Sequence, residues 1–214
     1  MKEVVVKVEH AIKKYGSQTV LQDVSLEVEK GNMIGIVGRN GSGKTVLFKA
    51  ICGFVPLDEG EITVNGKVIG KDVDMAQNVG AIIENPGFLP NYSGKKNLQF
   101  LAKIQNCIGE KEIVQAIRLV GLEPDSKKGV GKYSLGMRQR LGFAQAIMEN
   151  PDILILDEPM NGLDKHGVEE MRKLLLALRE QGKTILIASH NPLDIDVLCS
   201  RVYEMDEGIL TEVK

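Results

Sequence analysis

The sequence predicts an α/β fold with a mainly parallel sheet, an N-terminal antiparallel β portion and an inserted α-helical lobe. Three observations carry this. Apolar runs at 34–37, 80–83, 153–156 and 184–188 are short and bounded by turn or polar residues. Such runs fit strands buried on both faces, as parallel strands are. Asn65-Gly66 lies between two strand-like segments, 61–64 and 67–69, which is a strong hairpin signal. From about residue 95 to about 150 strand signals vanish and helical spacing replaces them: Leu98, Leu101 and Ala102, then Ile113, Ala116, Ile117 and Val120, then Leu141, Ala144 and Ile147.

The elements follow in order. Residues 4–9 alternate enough for a strand, and 20–28 give a second, with Lys13-Lys14-Tyr15-Gly16 between them. Residues 29–32 turn the chain into the run at 34–37. A glycine-rich loop follows, and then a helix whose apolar spacing meets Gly53 as a C-cap. Residues 54–60 break the pattern before the Asn65-Gly66 hairpin. The run at 80–83 enters a proline-rich loop, 84–91. Beyond the helical lobe come a strand at 153–156, an amphipathic helix at 165–181 ending at Gly182, a strand at 184–188 and a short helix at 192–198. A hairpin over 201–205 and 209–213 closes the chain. The whole reads as one domain: 1–93 and 151–214 form the core, and 94–150 the helical lobe.

The most specific stretch is Gly38-Arg39-Asn40-Gly41-Ser42-Gly43-Lys44-Thr45, a full match to G-x-x-x-x-G-K-[ST]. It follows a strand signal and precedes a helix, which is the context a phosphate-binding loop requires. A triphosphate is a dense anion, so its cradle needs several backbone N–H groups aimed at one point. Gly38, Gly41 and Gly43 permit the backbone angles of such a loop and leave room for close approach. The helix starting near Lys44 turns its positive dipole end to the phosphates. Lys44 adds a mobile cation, and the Thr45 hydroxyl can hold Mg²⁺. The fold class is therefore that of a P-loop NTPase core.

Composition narrows the alternatives. A formal net charge of −2 gives no general attraction to nucleic acid. Three scattered cysteines, Cys52, Cys107 and Cys199, fit reduced thiols better than a disulfide frame, and none has zinc-site spacing with a histidine. The stretch Met1-Lys2-Glu3-Val4-Val5-Val6-Lys7 lacks the apolar core of a signal peptide. No segment approaches the roughly 20 apolar residues of a membrane helix, so a membrane role is expected to come through another subunit.

The strand at 153–156 ends in Asp157-Glu158. In a phosphoryl-transfer site, Asp157 is placed to hold the metal through its water shell. Strand alternation points Glu158 the other way, where it would polarise the attacking water.

Taken together, the phosphate loop, the strand at 153–158 and Tyr133-Ser134-Leu135-Gly136-Met137-Arg138-Gln139-Arg140 between them resemble the ATP-binding subunit of an ABC transporter. The last segment sits where that family carries L-S-G-G-Q followed by x-Q-R. Ser134, Gly136, Gln139 and Arg140 match it, whereas Tyr133, Leu135 and Met137 depart. The resemblance spans essentially the whole chain. It implies that Tyr15 stacks on adenine, that Asn161-Gly162-Leu163-Asp164 is the D-loop, and that His190 contacts the γ-phosphate. His10 and His166 have no such role and read as surface residues. It further implies that Lys44, Glu158 and His190 serve catalysis, with ATP and Mg²⁺ as the bound species.

Glu84 departs from the family's usual glutamine, which reaches the metal and the water. Glutamate keeps an oxygen ligand but adds a negative charge. Glu84-Asn85-Pro86-Gly87-Phe88 is similar to the ATPases of bacitracin and lantibiotic export or immunity systems. The resemblance also implies a head-to-tail dimer, with each ATP between the phosphate loop of one copy and Ser134–Gly136 of the other. The second copy is either identical or a paralogue. The implied partner is a separate transmembrane permease, which would hold the protein on the cytoplasmic face of the cell membrane. The cargo class would be an exported antimicrobial peptide, drug or similar compound. Two rivals stay open. A soluble ATPase clamp on ribosomes or DNA is disfavoured by the single nucleotide domain, the missing coiled-coil insertion and the missing basic patch. A small-molecule P-loop kinase is disfavoured by the helical lobe with Ser134-Leu135-Gly136 and by His190.

Overall fold

The computed structural model describes residues 3–84 and 86–214. Met1 and Lys2 of the N-terminal stretch and Asn85 of the proline-rich loop lie outside the described residues. Strands β1 (Val4–Tyr15), β2 (Gln18–Glu29), β4 (Glu59–Val64) and β5 (Lys67–Val68) form an antiparallel sheet in the order β2-β1-β4-β5. A six-stranded sheet contains β3 (Met33–Val37), β6 (Val79–Ile82), β7 (Ile153–Asp157), β8 (Thr184–Ala188), β9 (Arg201–Asp206) and β10 (Ile209–Glu212), in the order β10-β9-β3-β8-β7-β6. Its pairings are parallel except for β10 on β9.

Both faces of this sheet are covered, which is why its central strands read as unbroken apolar runs. Alternation sorts the side chains. Ile34, Ile36, Ile153, Ile155, Leu186 and Ala188 face helix α1 (Lys44–Cys52) and the antiparallel sheet. Met33, Leu154, Leu156, Ile185 and Ile187 face the opposite core. That core is filled from α2 (Gly94–Gln105), α3 (Glu110–Leu119), α4 (Leu135–Ile147), α5 (Lys165–Glu180) and α6 (Pro192–Leu198).

Capping explains most helix limits. Ser93, Ser134, Asp164 and Asn191 each accept a backbone N–H at the start of α2, α4, α5 and α6. Gly53 ends α1 in the left-handed region, as its sequence position predicts. Asn65 and Gly66 both have positive φ, 49° and 74°, in the turn joining β4 to β5.

One element outruns its expectation. β1 continues past residue 9 to Tyr15, through the two lysines expected to interrupt it. Irregular registers after Val8, with His10 at φ 51°, let the strand bend and go on pairing until Tyr15 faces Gln18. Lys13 is buried despite its charge, with its Nζ 3.4 Å from Asp58 Oδ1. The extension carries Tyr15 to the tip of the β1–β2 hairpin.

α4 is seated on the edge strand β6, and Gly80 makes that close approach possible. A Cβ at Gly80 would lie 1.9 Å from the Ala146 carbonyl oxygen. Gly80→Ala is therefore expected to lose about 2–3 kcal/mol by overpacking, lowering Tm by roughly 5–10 °C. A thermal melt unchanged from wild type would mean that α4 does not rest on β6 as described.

Candidate functional site

The phosphate loop connects β3 to α1 at the carboxyl edge of the parallel sheet, where α/β folds place their ligands. Two of its glycines are required by their surroundings. Gly38 has φ 151°, and a Cβ there would lie 2.2 Å from the Met205 carbonyl oxygen. Gly43 has φ 116°, and its Cβ would lie 2.8 Å from the Val20 carbonyl oxygen. Lys44 is buried under the loop, and its Nζ donates to the carbonyls of Gly38 at 2.7 Å and Arg39 at 2.9 Å. An ammonium has three N–H donors, so one is left for an anion in the loop. The Ser42 hydroxyl is buried without a hydrogen-bond partner.

Thr45, on the first turn of α1, donates its hydroxyl to Asp157 Oδ2 at 2.6 Å. This joins the loop to the end of β7. Glu158 follows in the left-handed region, φ 49°, with its N–H held by the Ala188 carbonyl at 2.9 Å. Strand alternation therefore does not reach Glu158: it lies past the strand end, and both carboxylates line one cleft. Glu158 Oε2 lies 2.8 Å from His190 Nδ1, and Oε1 is buried with no partner. Buried polar atoms without partners are rare and costly, so the unpaired Oε1 of Glu158, which lines this cleft, points to a polar occupant, whereas Ser42 does not line the cleft.

The cleft encloses about 540 Å³. Tyr15, Asn40, Gly41, Gly43, Lys44, Thr45, Glu84, Asp157 and Glu158 all line it, so most of the residues singled out in the sequence converge. His190 joins them through Glu158, whereas its other side borders a neighbouring cleft together with Gly38 and Arg39. Ser134 and Gly136 do not line the cleft. Ser134 caps α4, accepting the Met137 N–H at 3.2 Å. Gly136 packs on the 161–163 loop, where a Cβ would lie 2.8 Å from the Gly162 carbonyl oxygen. His10 and His166 are exposed, each beside a carboxylate.

Four residues at the site are not placed in it by the sequence alone, although Gln139 matches within the 133–140 segment and Asn161 falls in the D-loop. Gln139 lines the cleft and donates to the Pro159 carbonyl at 2.9 Å, and Asn161 lines it as well. Lys49 forms an ion pair with Glu84, Nζ to Oε1 2.7 Å. Asp58 braces the Tyr15 hairpin: it accepts the Lys14 N–H at 2.6 Å and faces Lys13 Nζ at 3.4 Å. Lys13 Nζ in turn lies 5.4 Å from the centre of the Tyr15 ring, within cation–π range. The backbone N–H of Lys14, and then Lys13, hold the Asp58 carboxyl below the usual carboxylate range. Being lowered, that pKa keeps the contact intact at neutral pH, and the contact fades only as acid protonates the group. For Gln139 the position beside Ser134 and Gly136 was a usable signal. The Lys49 and Asp58 contacts join residues far apart in sequence and left none.

The donors suit a hard cation. Thr45 and Asp157 offer oxygens already 2.6 Å apart, and Glu84 lines the same cleft with a third carboxylate. Among the described residues no cluster of histidine, cysteine and carboxylate groups forms a protein-only metal cage. A cation here would therefore need further ligands from water or a bound phosphate.

A family model described as ABC transporter matches residues 21–161. The chain belongs to this family. It is an ATP-binding subunit and an ATP hydrolase. It is 44% identical over 205 residues to the uncharacterized ABC transporter ATP-binding protein YybJ of Bacillus subtilis (strain 168), covering 96% of this chain and 94% of that protein. It is 41% identical to the bacitracin transport ATP-binding protein BcrA of Enterococcus faecalis, over 98% of this chain and 69% of that protein. Its fold matches the dimeric, post-hydrolysis structure of the ATP-binding cassette MJ0796 bound to ADP and Pi, with TM-score 0.87, 22% identity and 98% of each chain covered. No helix among the described residues is long and apolar enough to cross a membrane.

Asp58→Ala is expected to free the Tyr15 hairpin and weaken ATP binding about threefold, while binding of inorganic tripolyphosphate stays unchanged. A loss of that size is what one weakened stacking contact would give. Titration calorimetry with both ligands checks this. An equal loss for both would place the effect in the phosphate loop instead.

Proposed function

We propose that this ATPase drives the export of an antimicrobial peptide or similar compound through a separate membrane permease, working as a head-to-tail pair. The cargo class is suggested by the similarity to a bacitracin transport ATPase and by glutamate at position 84. The observation that carries the pairing is the split of the site. The cleft gathers Lys44, Thr45, Asp157 and Glu158, yet Ser134 and Gly136 lie outside it on the same chain. A serine at a helix start beside a glycine is suited to a phosphate. The partner copy would bring that surface to the nucleotide. The copy can be identical or a paralogue.

In this reading adenine stacks on Tyr15. The phosphates lie in the nest of residues 38–45, with the third N–H of Lys44 on the outer phosphates. Thr45, Asp157 and Glu84 would hold Mg²⁺, which would supply positive charge to neutralise the phosphates. Glu158 accepts a proton from the attacking water, using the Oε1 that has no partner in the chain itself. His190 steadies the other oxygen of that carboxylate and faces the γ-phosphate. The γ-phosphate is an anion shared by two surfaces, so its removal loosens the pair. The helical lobe, residues 94–150, carries the second of those surfaces.

In this reading the permease would dock on a groove beside the helical lobe. A groove of about 1250 Å³ runs between the helical lobe and the edge strand β6, bordered by Phe54, Met75, Pro86, Leu101 and Ile104. Phe54, Met75 and Ile104 are exposed apolar side chains on this groove, a feature of interaction sites. It lies beside Glu84, so movement of the proline-rich loop would be felt at the cleft. The protein would sit on the inner face of the membrane by this attachment.

Glu158→Gln is expected to bind ATP, to fall at least about a hundredfold in hydrolysis and to accumulate as an ATP-bound dimer. Size-exclusion chromatography with light scattering, run with ATP and Mg²⁺, reads the dimer directly. A variant that stays monomeric while saturated with nucleotide would refute the pairing.

A further inference from the structure

We propose that Lys49 is a positioning residue of the ATPase site: it supplies the counter-charge that makes a glutamate at position 84 compatible with a bound triphosphate. The inference deepens the reading of this cleft as an ATP site and rests on it.

The geometry is local and specific. Glu84 lies two residues past β6 with φ 59°, and its carboxylate meets α1, where Lys49 Nζ stands 2.7 Å from Oε1. Lys49 is four residues beyond Thr45 on α1, so the two share a face of the helix. One face of α1 thus presents a hydroxyl to Asp157 and an ammonium to Glu84.

The charges explain why the pair is needed. Glu84, Asp157 and Glu158 put three carboxylates on one cleft. Lys44 lines it too, but two of its donors are turned into the loop's own carbonyls. A nucleoside triphosphate brings several more negative charges, only two of which a bound Mg²⁺ would offset. Like charges a few ångströms apart repel appreciably wherever water is displaced. Asp157 already accepts a hydrogen bond from Thr45, and Glu158 is held beside His190. Glu84 is the carboxylate whose ion-pair partner is a lysine. A glutamine at this position would offer an oxygen without the charge and would have no need of Lys49. Lys49 and Glu84 therefore act as one unit, and the effect of removing the lysine depends on what stands at position 84.

The test is a double-mutant cycle read by binding of a fluorescent, non-hydrolysable ATP analogue with Mg²⁺. Wild type, Lys49→Gln, Glu84→Gln and the double variant are compared at low and high ionic strength, and thermal melts establish that all four fold. Lys49→Gln is expected to weaken binding about tenfold at low salt in the Glu84 background, and less at high salt, because the pair is partly exposed and is screened. In the Glu84→Gln background the same substitution is expected to cost less than about twofold. An equal factor in both backgrounds, or no effect in either, overturns the role of Lys49 while leaving the ATP site standing. Failure of the wild-type protein to bind the analogue overturns the ATP-site reading itself, and this proposal with it.

Discussion

The hydrogen bond from Thr45 to Asp157 is the contact on which the site depends. It joins residues 112 positions apart in sequence and fixes the phosphate loop against the carboxylate end of β7. It exists because the parallel register brings the strand ends level: Ile36 and Asp157 both pair with Ala188, from opposite sides of β8. A slip of one residue in β7 would turn Asp157 to the other face and exchange that strand's two apolar sets, and a slip in β3 would displace the loop from it. The two buried cores therefore protect the chemistry as well as the fold. With different helices packed on each face, the register cannot drift without exposing a row of isoleucines and leucines to the wrong neighbours.

The loop is braced from outside as well. Gly208, in the turn between β9 and β10, donates its N–H to the Ser42 carbonyl at 3.0 Å, and its own carbonyl accepts the Gln22 N–H at 2.8 Å. Gln22 also donates its side-chain amide to the Glu207 carbonyl at 2.7 Å. The closing hairpin and the antiparallel sheet thus meet at the back of the phosphate loop, where Met205 and Val20 press on Gly38 and Gly43. Elements that look peripheral in chain order hold the nest in shape.

This separates what was legible in the sequence from what was not. The loop, its strand and its helix are contiguous, so 34–53 could be read as one unit. The Asn65-Gly66 hairpin was equally local. The central strands were legible because burial on both faces leaves an uninterrupted apolar signature. Tyr15 was harder, since its strand is bent by irregular pairing near His10 and runs through two lysines that suggest a break. The direction of Glu158 was misjudged because alternation applies only inside a strand, and its positive φ takes it out of that pattern. Lys49 and Asp58 look like ordinary surface charges; their partners are 35 and 44 residues away. Nothing short of the folded topology reveals those pairings.

The separation of Ser134 and Gly136 from the cleft has a mechanical corollary. Gly136 rests on Gly162, and a Cβ at Gly162 would lie 2.4 Å from the Leu135 side chain, so the start of α4 and the 161–163 loop fit together closely. The same loop is tied to the base of the site: the Asn161 N–H donates to the Glu158 carbonyl at 3.1 Å, and Gln139, from α4, donates to the Pro159 carbonyl. Glu158 is thus only a few bonds from the surface that, in the proposed pairing, would be offered to the other copy. A rearrangement at Glu158 would be transmitted to that surface through main-chain hydrogen bonds and packed glycines, with little slack to absorb it. Each copy would then sense the other's nucleotide through short rigid contacts, without a long relay across the domain.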